Sequence, residues 1–529
     1  MNGNALIRIL ATFGLLIASL WVSFDIFTSG GNAVARFYMY TMVMCGVYGL
    51  LNPRKAFYVL IFLTGYLDFF KRFMIFDSGL SRMDLYYVLG IAPAAMAGMA
   101  GNILYQHISG KLTSRPGLGR LIVVVLGVAA LASILSLSVD TQGFRALGDT
   151  VNAVIYLLLL IVIPVLFRTP EDIRTMLKVV VLLYVPAVGY MLVHYFRGGI
   201  FDWEMDYVKS GLTIEIRQLS ERVFRPFGTM NSASNASMIF SCIFAFCCAG
   251  FWGLRSGSGR SMPFAFRWAF IPFILLAMFA TYSRTGWVFA VMAVGASIML
   301  KRKGMTIFGY VFSFTAIVSI VLASPYLLKH KILNEISGDI YEEKRTAQWS
   351  QTTNLATFND RLEGFYTIAT EPDVWTPFGV KFSSKSEGAI LNKVSGVHDK
   401  FTDLLLNYGF VTLLIGAAFI ARNLWKVHQF VFLERDPLVK GLAATALAIA
   451  LTLCSGAAGN SAQFLTYPVN FFIWFCFAIT ISLMMYAKER DGETVSETAE
   501  GETPPWMRSQ TRVAPTRKGT LPAPVHAKA

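Results

Sequence analysis

The chain has 529 residues, of which 55% are hydrophobic and only 15% are charged, and its formal net charge at pH 7 is +14. Because a soluble globular protein carries about 25% charged residues, this composition excludes an ordinary soluble domain. Repeated apolar stretches near twenty residues in length, separated by short basic loops, predict an all-α, polytopic helical membrane protein.

Fourteen apolar segments are predicted as transmembrane helices. In chain order they cover residues 5–24, 34–51, 56–76, 83–104, 120–138, 150–167, 175–196, 230–253, 267–282, 285–301, 305–323, 401–421, 439–456 and 464–486. The first could pass for a signal peptide. No small-residue cleavage site leads from it into a polar domain, so we expect a retained helix.

The positive charge lies mainly on one side of these predicted spans. If the amino terminus is cytoplasmic, the short loops that face the cytoplasm hold 18 Lys and Arg residues, and the tail after Tyr486 holds 7 more. The opposite short loops hold few. Since basic residues near span ends mark the cytoplasmic side, both termini are predicted to be cytoplasmic. The excess of positive charge is therefore explained by the membrane topology, and no nucleic-acid partner is expected.

Three polar segments divide the chain. We predict a periplasmic loop, a large and partly helical periplasmic loop with stretches near Gly338–Gln348 and Asn359–Ala369, and a disordered cytoplasmic tail. The resulting domains are helices 1–7 (1–196), the first loop (197–229), helices 8–11 (230–323), the large loop (324–400), helices 12–14 (401–486) and the tail (487–529). Aromatic residues in the large loop suit either sugar stacking or a small core of that loop.

Metal and disulfide signals are missing from the sequence. All six cysteines lie in the apolar spans, which predicts small buried thiols. The histidines show no HxxH or HExxH spacing, and there is no Walker A or GxGxxG loop. We therefore expect no metal site and no cofactor.

Arg284, within FATYSRTGW, is the only charged side chain between Ala269 and Leu300. One interpretation is a snorkelling anchor at a helix end. The other is an anion site, because the surrounding run is too long for one span and Thr281 to Gly286 supply capping and turn residues. A tight hairpin would then place a helix start and a guanidinium in one recess, which suits phosphate.

Two further residues precede predicted spans on the same side. Arg225, in VFRPFGTMN, is either an interface anchor or a second phosphate ligand. His398, in SGVHDKF, is either incidental or a general base, since an unperturbed pKa of about 6.5 suits proton transfer at neutral pH. Three such side chains at three predicted helix starts on one membrane face favour a shared site.

The motifs RPFGTMNSASNAS, TYSRTGW, NDRLEGFYTIATEPDVWTPFGVKF and VHDKFTDLLLNYGFVTLLIG follow one another in this order. Together they resemble the O-antigen ligase and O-antigen or exopolysaccharide polymerase family of bacterial envelopes. The resemblance covers roughly Arg222 to Gly416 and includes a Tyr-Gly break in the helix after the histidine. One departure is Asp399, since the family commonly has Asn after the histidine.

The resemblance implies a metal-independent, inverting glycosyltransferase of lipopolysaccharide or exopolysaccharide biosynthesis, located in the bacterial inner membrane with its site facing the periplasm. Its donor would be a saccharide on undecaprenyl diphosphate, and its acceptor a glycan or another lipid-linked repeat. In this interpretation Arg225 and Arg284 stabilise the leaving diphosphate, and His398 takes the acceptor proton. Arg361 would bind the second phosphate or pack within the loop. A chain-length regulator is a further expected partner for a polymerase.

Several alternatives remain open. Ligase and polymerase share these residues, although fourteen spans favour a polymerase. A transporter or flippase for lipid-linked oligosaccharide or a small anion is the main alternative, but it would call for polar residues at the membrane midplane. The protein could also bind a lipid diphosphate without turning it over. A pair of acidic residues of the large loop could act as in glycosidases.

Overall fold

The computed structural model describes residues 19–77, 84–112, 115–139, 151, 154–210, 218–220, 223–224, 226–254, 265–301, 372–377, 400–457 and 467–501. Within these ranges the chain is almost entirely helical, and the described strands are β1 (Gln218–Ser220) and β2 (Val223–Phe224), which pair antiparallel. Seven described helices are long and apolar enough to cross a membrane. The protein is therefore an all-α, multi-pass membrane protein, as predicted.

The first eight helices follow the predicted spans and then enter the first predicted loop. They are α1 (Ala33–Leu51), α2 (Pro53–Arg72), α3 (Asp84–Ile108), α4 (Leu118–Val139), α5 (Leu159–Leu166), α6 (Pro170–Leu183), α7 (Val185–Arg197) and α8 (Asp202–Lys209). Helices α6 and α7 form one span with a break at Tyr184, whose hydroxyl lies 2.8 Å from that of Thr64. Helix α8 and the β1–β2 ribbon lie within the loop predicted at 197–229, where the sequence indicated no regular elements.

Six more helices complete the described chain. They are α9 (Ala233–Cys248), α10 (Phe266–Ala280), α11 (Arg284–Lys301), α12 (Lys400–Leu433), α13 (Pro437–Ala457) and α14 (Val469–Gly501). The predicted hairpin of two helices around 283 is confirmed by α10 and α11. The predicted span 305–323, the helical stretches predicted near 338–348 and 359–369, and most of the span 5–24 lie outside the described residues.

Two helices continue past the ends of the predicted spans. Helix α12 contains the predicted span 401–421 and continues to Leu433, because no Gly or Pro interrupts its last four turns. Helix α14 was predicted to give way to a disordered tail at 487, but it extends to Gly501. Arg490 of this extension pairs with Glu434 at 3.2 Å and so ties it to the link between α12 and α13.

The main core runs through most of the described helices, and within it α13 contacts both α11 and α14. Ser297 of α11 and Thr445 of α13 share a hydrogen bond of 3.0 Å inside this core. Helices α1 and α3 cross closely at small residues. A Cβ on Gly98 would lie 3.0 Å from the amide nitrogen of Leu50, so a larger residue would separate these helices.

The connections between helices gather at two opposite ends. At one end Arg72 lies with the end of α7, helix α8 and the start of α9, and we call this the Arg72 end. At the other, which we call the Arg115 end, Arg115 lies with the end of α5 and with α14. Arg54 at the start of α2 pairs there with Asp172 at 2.6 Å.

Candidate functional site

The four predicted site residues are described to different extents. Arg284 is the first residue of α11, as the hairpin interpretation predicts, but its side chain lies outside the described residues. Arg225, Arg361 and His398 also lie outside them. The site is therefore built from the described segments next to these residues in the chain, and the roles of the four side chains remain predictions.

A tight turn of Thr281, Tyr282 and Ser283 connects α10 to α11. The Thr281 hydroxyl donates to the carbonyl of Met278 at 2.7 Å and accepts from the backbone N–H of Ser283 at 3.2 Å. Tyr282 has a φ of 50°, in the left-handed region that a tight reversal requires. The turn therefore reverses the chain directly before Arg284, and the Thr281 hydroxyl stabilises the turn itself.

The start of α11 lies against the start of α9. A Cβ on Gly286 would lie 2.8 Å from the carbonyl oxygen of Ser237, so the two helices approach as closely as backbone permits. The hydroxyl of Ser237 also donates to the carbonyl of Ser283 at 3.5 Å. The structure thus brings the RPFGTMNSASNAS motif and the TYSRTGW motif together at one end.

The segment that leads into α9 is a second turn. The backbone N–H of Met230 donates to the carbonyl of Phe227 at 3.0 Å, and Gly228 between them has a φ of +57°. The Ser232 hydroxyl then accepts the backbone N–H of Asn235 at 3.1 Å and caps the helix. Residues 226–232 therefore have a defined conformation directly after the predicted ligand Arg225.

Arg72, at the last residue of α2, holds this segment. Its guanidinium donates to the carbonyls of Gly228 at 2.6 Å and Met230 at 2.8 Å, and it forms an ion pair with Glu204. The ring centroid of Phe227 lies 4.5 Å from the guanidinium carbon. The side chains of Arg72 and Glu204 are 1% and 0% exposed, so the pair is withdrawn from solvent.

Glu204 in the first turn of α8 is the centre of a larger network. Its carboxylate accepts from the Tyr190 hydroxyl and from the Phe201 backbone N–H, both at 3.0 Å. The Nε2 atom of His194 lies 2.8 Å away, within ion-pair distance but outside hydrogen-bond angles. Burial alone would raise the pKa of Glu204, but His194 and Arg72 outweigh it and hold that pKa below its usual value.

Other buried polar groups surround this network. The Tyr207 hydroxyl, the Thr229 hydroxyl and the side-chain carbonyl oxygen of Asn235 are buried and have no hydrogen-bond partner in the described part of the chain. Lys71 is buried as well, close enough to Asp68 for the two charges to interact. The Arg72 end therefore has polar groups available for a polar ligand.

Sequence reasoning missed Arg72, Glu204 and His194. Arg72 and His194 lie inside predicted spans, and Glu204 lies in a loop of balanced charge, so each was indistinguishable from an ordinary boundary residue. One feature of the sequence could have marked this site. Lys71 and Arg72 lie at the predicted outer end of a span, where basic residues are uncommon.

A described part of the large loop packs near the start of α12. The backbone N–H of Phe410 donates to the carbonyl of Thr376 at 3.0 Å, and Val374 is buried against Leu405. Helix α12 is broken at Gly409, which has φ 79° and ψ 171°. The break frees the N–H of Phe410 from hydrogen bonding within the helix. The break lies at the Tyr-Gly pair where the resemblance predicts one.

No protein-family model matches the chain, and no curated protein matches it either. The resemblance to O-antigen ligases and polymerases is therefore carried by the four motifs alone.

Proposed function

We propose that the protein is a membrane-embedded glycosyltransferase that moves a saccharide from undecaprenyl diphosphate to an acceptor glycan, as a polymerase or a ligase. The observation that carries this proposal is the contact between the starts of α9 and α11, where Gly286 meets Ser237. The first start follows Arg225 and the second begins at Arg284. Two helix starts offer backbone N–H groups and positive dipole ends to one anion, which suits a diphosphate.

The proposal includes an orientation in the bacterial inner membrane. Arg54, Arg115, Arg174 and Arg267 all bond to neighbours at the Arg115 end. Positive residues near span ends favour the cytoplasmic side, so this end faces the cytoplasm and the Arg72 end faces the periplasm. Fourteen spans and two cytoplasmic termini are part of the same proposal.

The reaction is a displacement at the anomeric carbon of the donor sugar. The acceptor hydroxyl oxygen forms the new bond, the bond from the anomeric carbon to the diphosphate oxygen breaks, and its electron pair leaves on undecaprenyl diphosphate. His398 takes the hydroxyl proton, and attack opposite the diphosphate inverts the anomeric centre. Arg225 and Arg284 stabilise the leaving charge, each by a few kcal/mol in a water-poor site, and Arg361 binds the second phosphate.

The buried polar groups at the Arg72 end support this assignment. Thr229 and Asn235 are each less than a tenth exposed, and the Thr229 hydroxyl and the side-chain carbonyl oxygen of Asn235 have no hydrogen-bond partner among the described residues. Unpaired buried polar groups are costly in an empty site and are satisfied when a polar ligand binds. A diphosphate with its sugar supplies both acceptor oxygens and hydroxyl donors.

The test uses purified protein in vesicles with a polyprenyl-diphosphate-linked repeat and an acceptor glycan. We expect Arg284→Ala to lower kcat by about 10²–10³-fold and His398→Ala by about 10²–10⁴-fold, with Arg284→Lys also impaired because an ammonium lacks the bidentate fork. Arg54→Ala is the matched control, because Arg54 is an exposed arginine at a helix start of the opposite end.

Two results would overturn the proposal. The first is full turnover by both His398→Ala and Arg284→Ala. The second is the movement of intact lipid-linked donor across the vesicle membrane without sugar transfer, which would favour the flippase alternative.

A further inference from the structure

Arg72 differs from an ordinary buried ion pair because two of the three acceptors that it has among the described residues are backbone carbonyls. These belong to Gly228 and Met230, which lie on the turn directly before α9. The Nη2 atom of Arg72 donates to both carbonyls of the turn while its Nη1 atom donates to Glu204, so the planar guanidinium holds the turn and the carboxylate at a fixed relative position, as a compact ammonium cannot. Arg72 therefore sets the conformation of a loop segment as well as neutralising a carboxylate.

The guanidinium is itself held in place by a carboxylate and an aromatic ring. Glu204 accepts from it, and the same carboxylate is anchored by the Tyr190 hydroxyl and the Phe201 backbone N–H. The Phe227 ring packs against the guanidinium face at 4.5 Å. Its orientation is therefore determined by α2, α7 and α8 together, which makes it a rigid support for the turn.

The turn also requires glycine at its centre. Gly228 has a φ of +57°, and a Cβ there would approach Met191 to 3.1 Å. The supported turn leads through Ser232 into the first turn of α9, which is the helix start that meets Gly286 of α11. A shift of the turn would therefore move the start of α9 relative to α11.

We infer that Arg72 is a positioning residue: by holding the carbonyls of Gly228 and Met230, it aligns the start of α9 for the donor diphosphate. This inference rests on the proposed function, in which the starts of α9 and α11 bind that diphosphate. Misplacing a binding group by about 1 Å costs on the order of 10²-fold in rate. Because the diphosphate charge develops in the transition state, the loss falls on kcat more than on the KM for the donor.

The experiment compares Arg72→Lys with Arg115→Lys. Both arginines are buried and pair with a carboxylate and with backbone carbonyls, but Arg115 lies at the opposite end. We expect kcat per folded protein to fall about 10²-fold in Arg72→Lys, with little change in KM, and to stay at the wild-type value in Arg115→Lys. Hydrogen–deuterium exchange should become faster at Phe227–Met230 in Arg72→Lys only.

A second pair of variants covers the case in which Arg72→Lys does not fold. Gly228 and Gly198 both have left-handed backbone, with φ of +57° and +82°, so alanine introduces comparable backbone strain at each. A Cβ on Gly198 meets nothing within 4 Å, and its carbonyl receives no bond from Arg72. Gly228→Ala should lower kcat and raise exchange in the turn, whereas Gly198→Ala should do neither.

Equal kcat losses in Arg72→Lys and Arg115→Lys would overturn the positioning role, and so would unchanged exchange at Phe227–Met230. Failure of the proposed function has a different signature. Wild-type protein would then transfer no sugar from any polyprenyl-diphosphate donor, while faster exchange in Arg72→Lys would still show that the arginine supports the turn.

Discussion

Two buried arginines, one at each end of the helix bundle, are held in different ways. Among the described residues Arg115 makes five hydrogen bonds, two of them to Glu489 at 2.8 and 2.9 Å and the others to Pro164, Arg168 and Ser482. Arg72 makes three within the described chain, and two of those go to one turn. Arg115 therefore joins helix ends, whereas Arg72 supports a loop beside the proposed site.

The carboxylate partners differ as well. Glu204 is fully buried, whereas the Glu489 side chain is 29% exposed. A buried carboxylate that serves several donors is difficult to replace, because its loss leaves each donor unpaired. Where the carboxylate is partly exposed, water can accept the hydrogen bonds of its donors instead. Loss of the carboxylate should therefore destabilise the protein more at the Arg72 end than at the Arg115 end. The Arg72 end also has more polar groups without described partners.

The largest expected effect is that of removing Glu204. Glu204→Ala leaves Arg72 buried without its counter-charge and removes the acceptor of Tyr190 and Phe201. We expect a loss of about 3–5 kcal/mol in the free energy of unfolding, measured by denaturant titration in mixed micelles. Glu204→Gln, which keeps the shape and one acceptor oxygen, should lose less. A loss below about 1 kcal/mol in Glu204→Ala, the value of an exposed pair, would contradict the comparison.

The next effect is steric and concerns the contact between α9 and α11. Gly286→Ala places a Cβ 2.8 Å from the carbonyl oxygen and 2.9 Å from the Cβ of Ser237. Such overpacking costs about 1–3 kcal/mol, seen as a lower midpoint of thermal unfolding. Gly295→Ala, in the same helix but with open space around it, should be neutral or gain about 0.5–1 kcal/mol from helix propensity. Equal midpoints in the two variants would mean that the helices do not touch at Gly286.

A smaller effect is expected at the opposite end. Glu489→Ala removes two of the hydrogen bonds of Arg115, but the carbonyls of Pro164 and Arg168 and the Ser482 hydroxyl remain. Water can also reach the position of the partly exposed carboxylate. We expect a loss of about 1 kcal/mol in the same titration. A loss as large as that of Glu204→Ala would remove the distinction between the ends.

Local features of the fold were predictable from the sequence. The predicted span 34–51 corresponds to α1 at Ala33–Leu51, and the hairpin predicted from Thr281 to Gly286 is present. Hydropathy did not predict where α12 and α14 end, because it measures preference for lipid, whereas a helix can continue into water. No proline interrupts the stretches after 421 and 486, and both remain helical.

The networks at the two ends were not predictable for a different reason. Arg72 and Glu204 are 132 positions apart, and Arg115 and Glu489 are 374 apart. No local pattern links such residues, so only the packing of helices brings them together. The meeting of α9 and α11 was expected from topology, since both start on the same predicted side. That this contact depends on Gly286 and Ser237 could be seen only in the structure.

The smallest expected effect is a pH dependence of the stability that is seen only at acidic pH. His194 and Arg72 hold the pKa of Glu204 below its usual value despite burial, which in an unfolded chain is about 4.3. The unfolded protein therefore binds this proton more readily, and the stability from Glu204 is complete above pH ~4.3 and is lost as the pH falls through the folded pKa. Thermal midpoints of wild type and Glu204→Gln, measured from pH 7 downwards, should converge below pH ~4.3. Since the glutamine does not titrate and every other carboxyl is common to both proteins, a constant difference over the whole range would show that the Glu204 network does not depend on its charge.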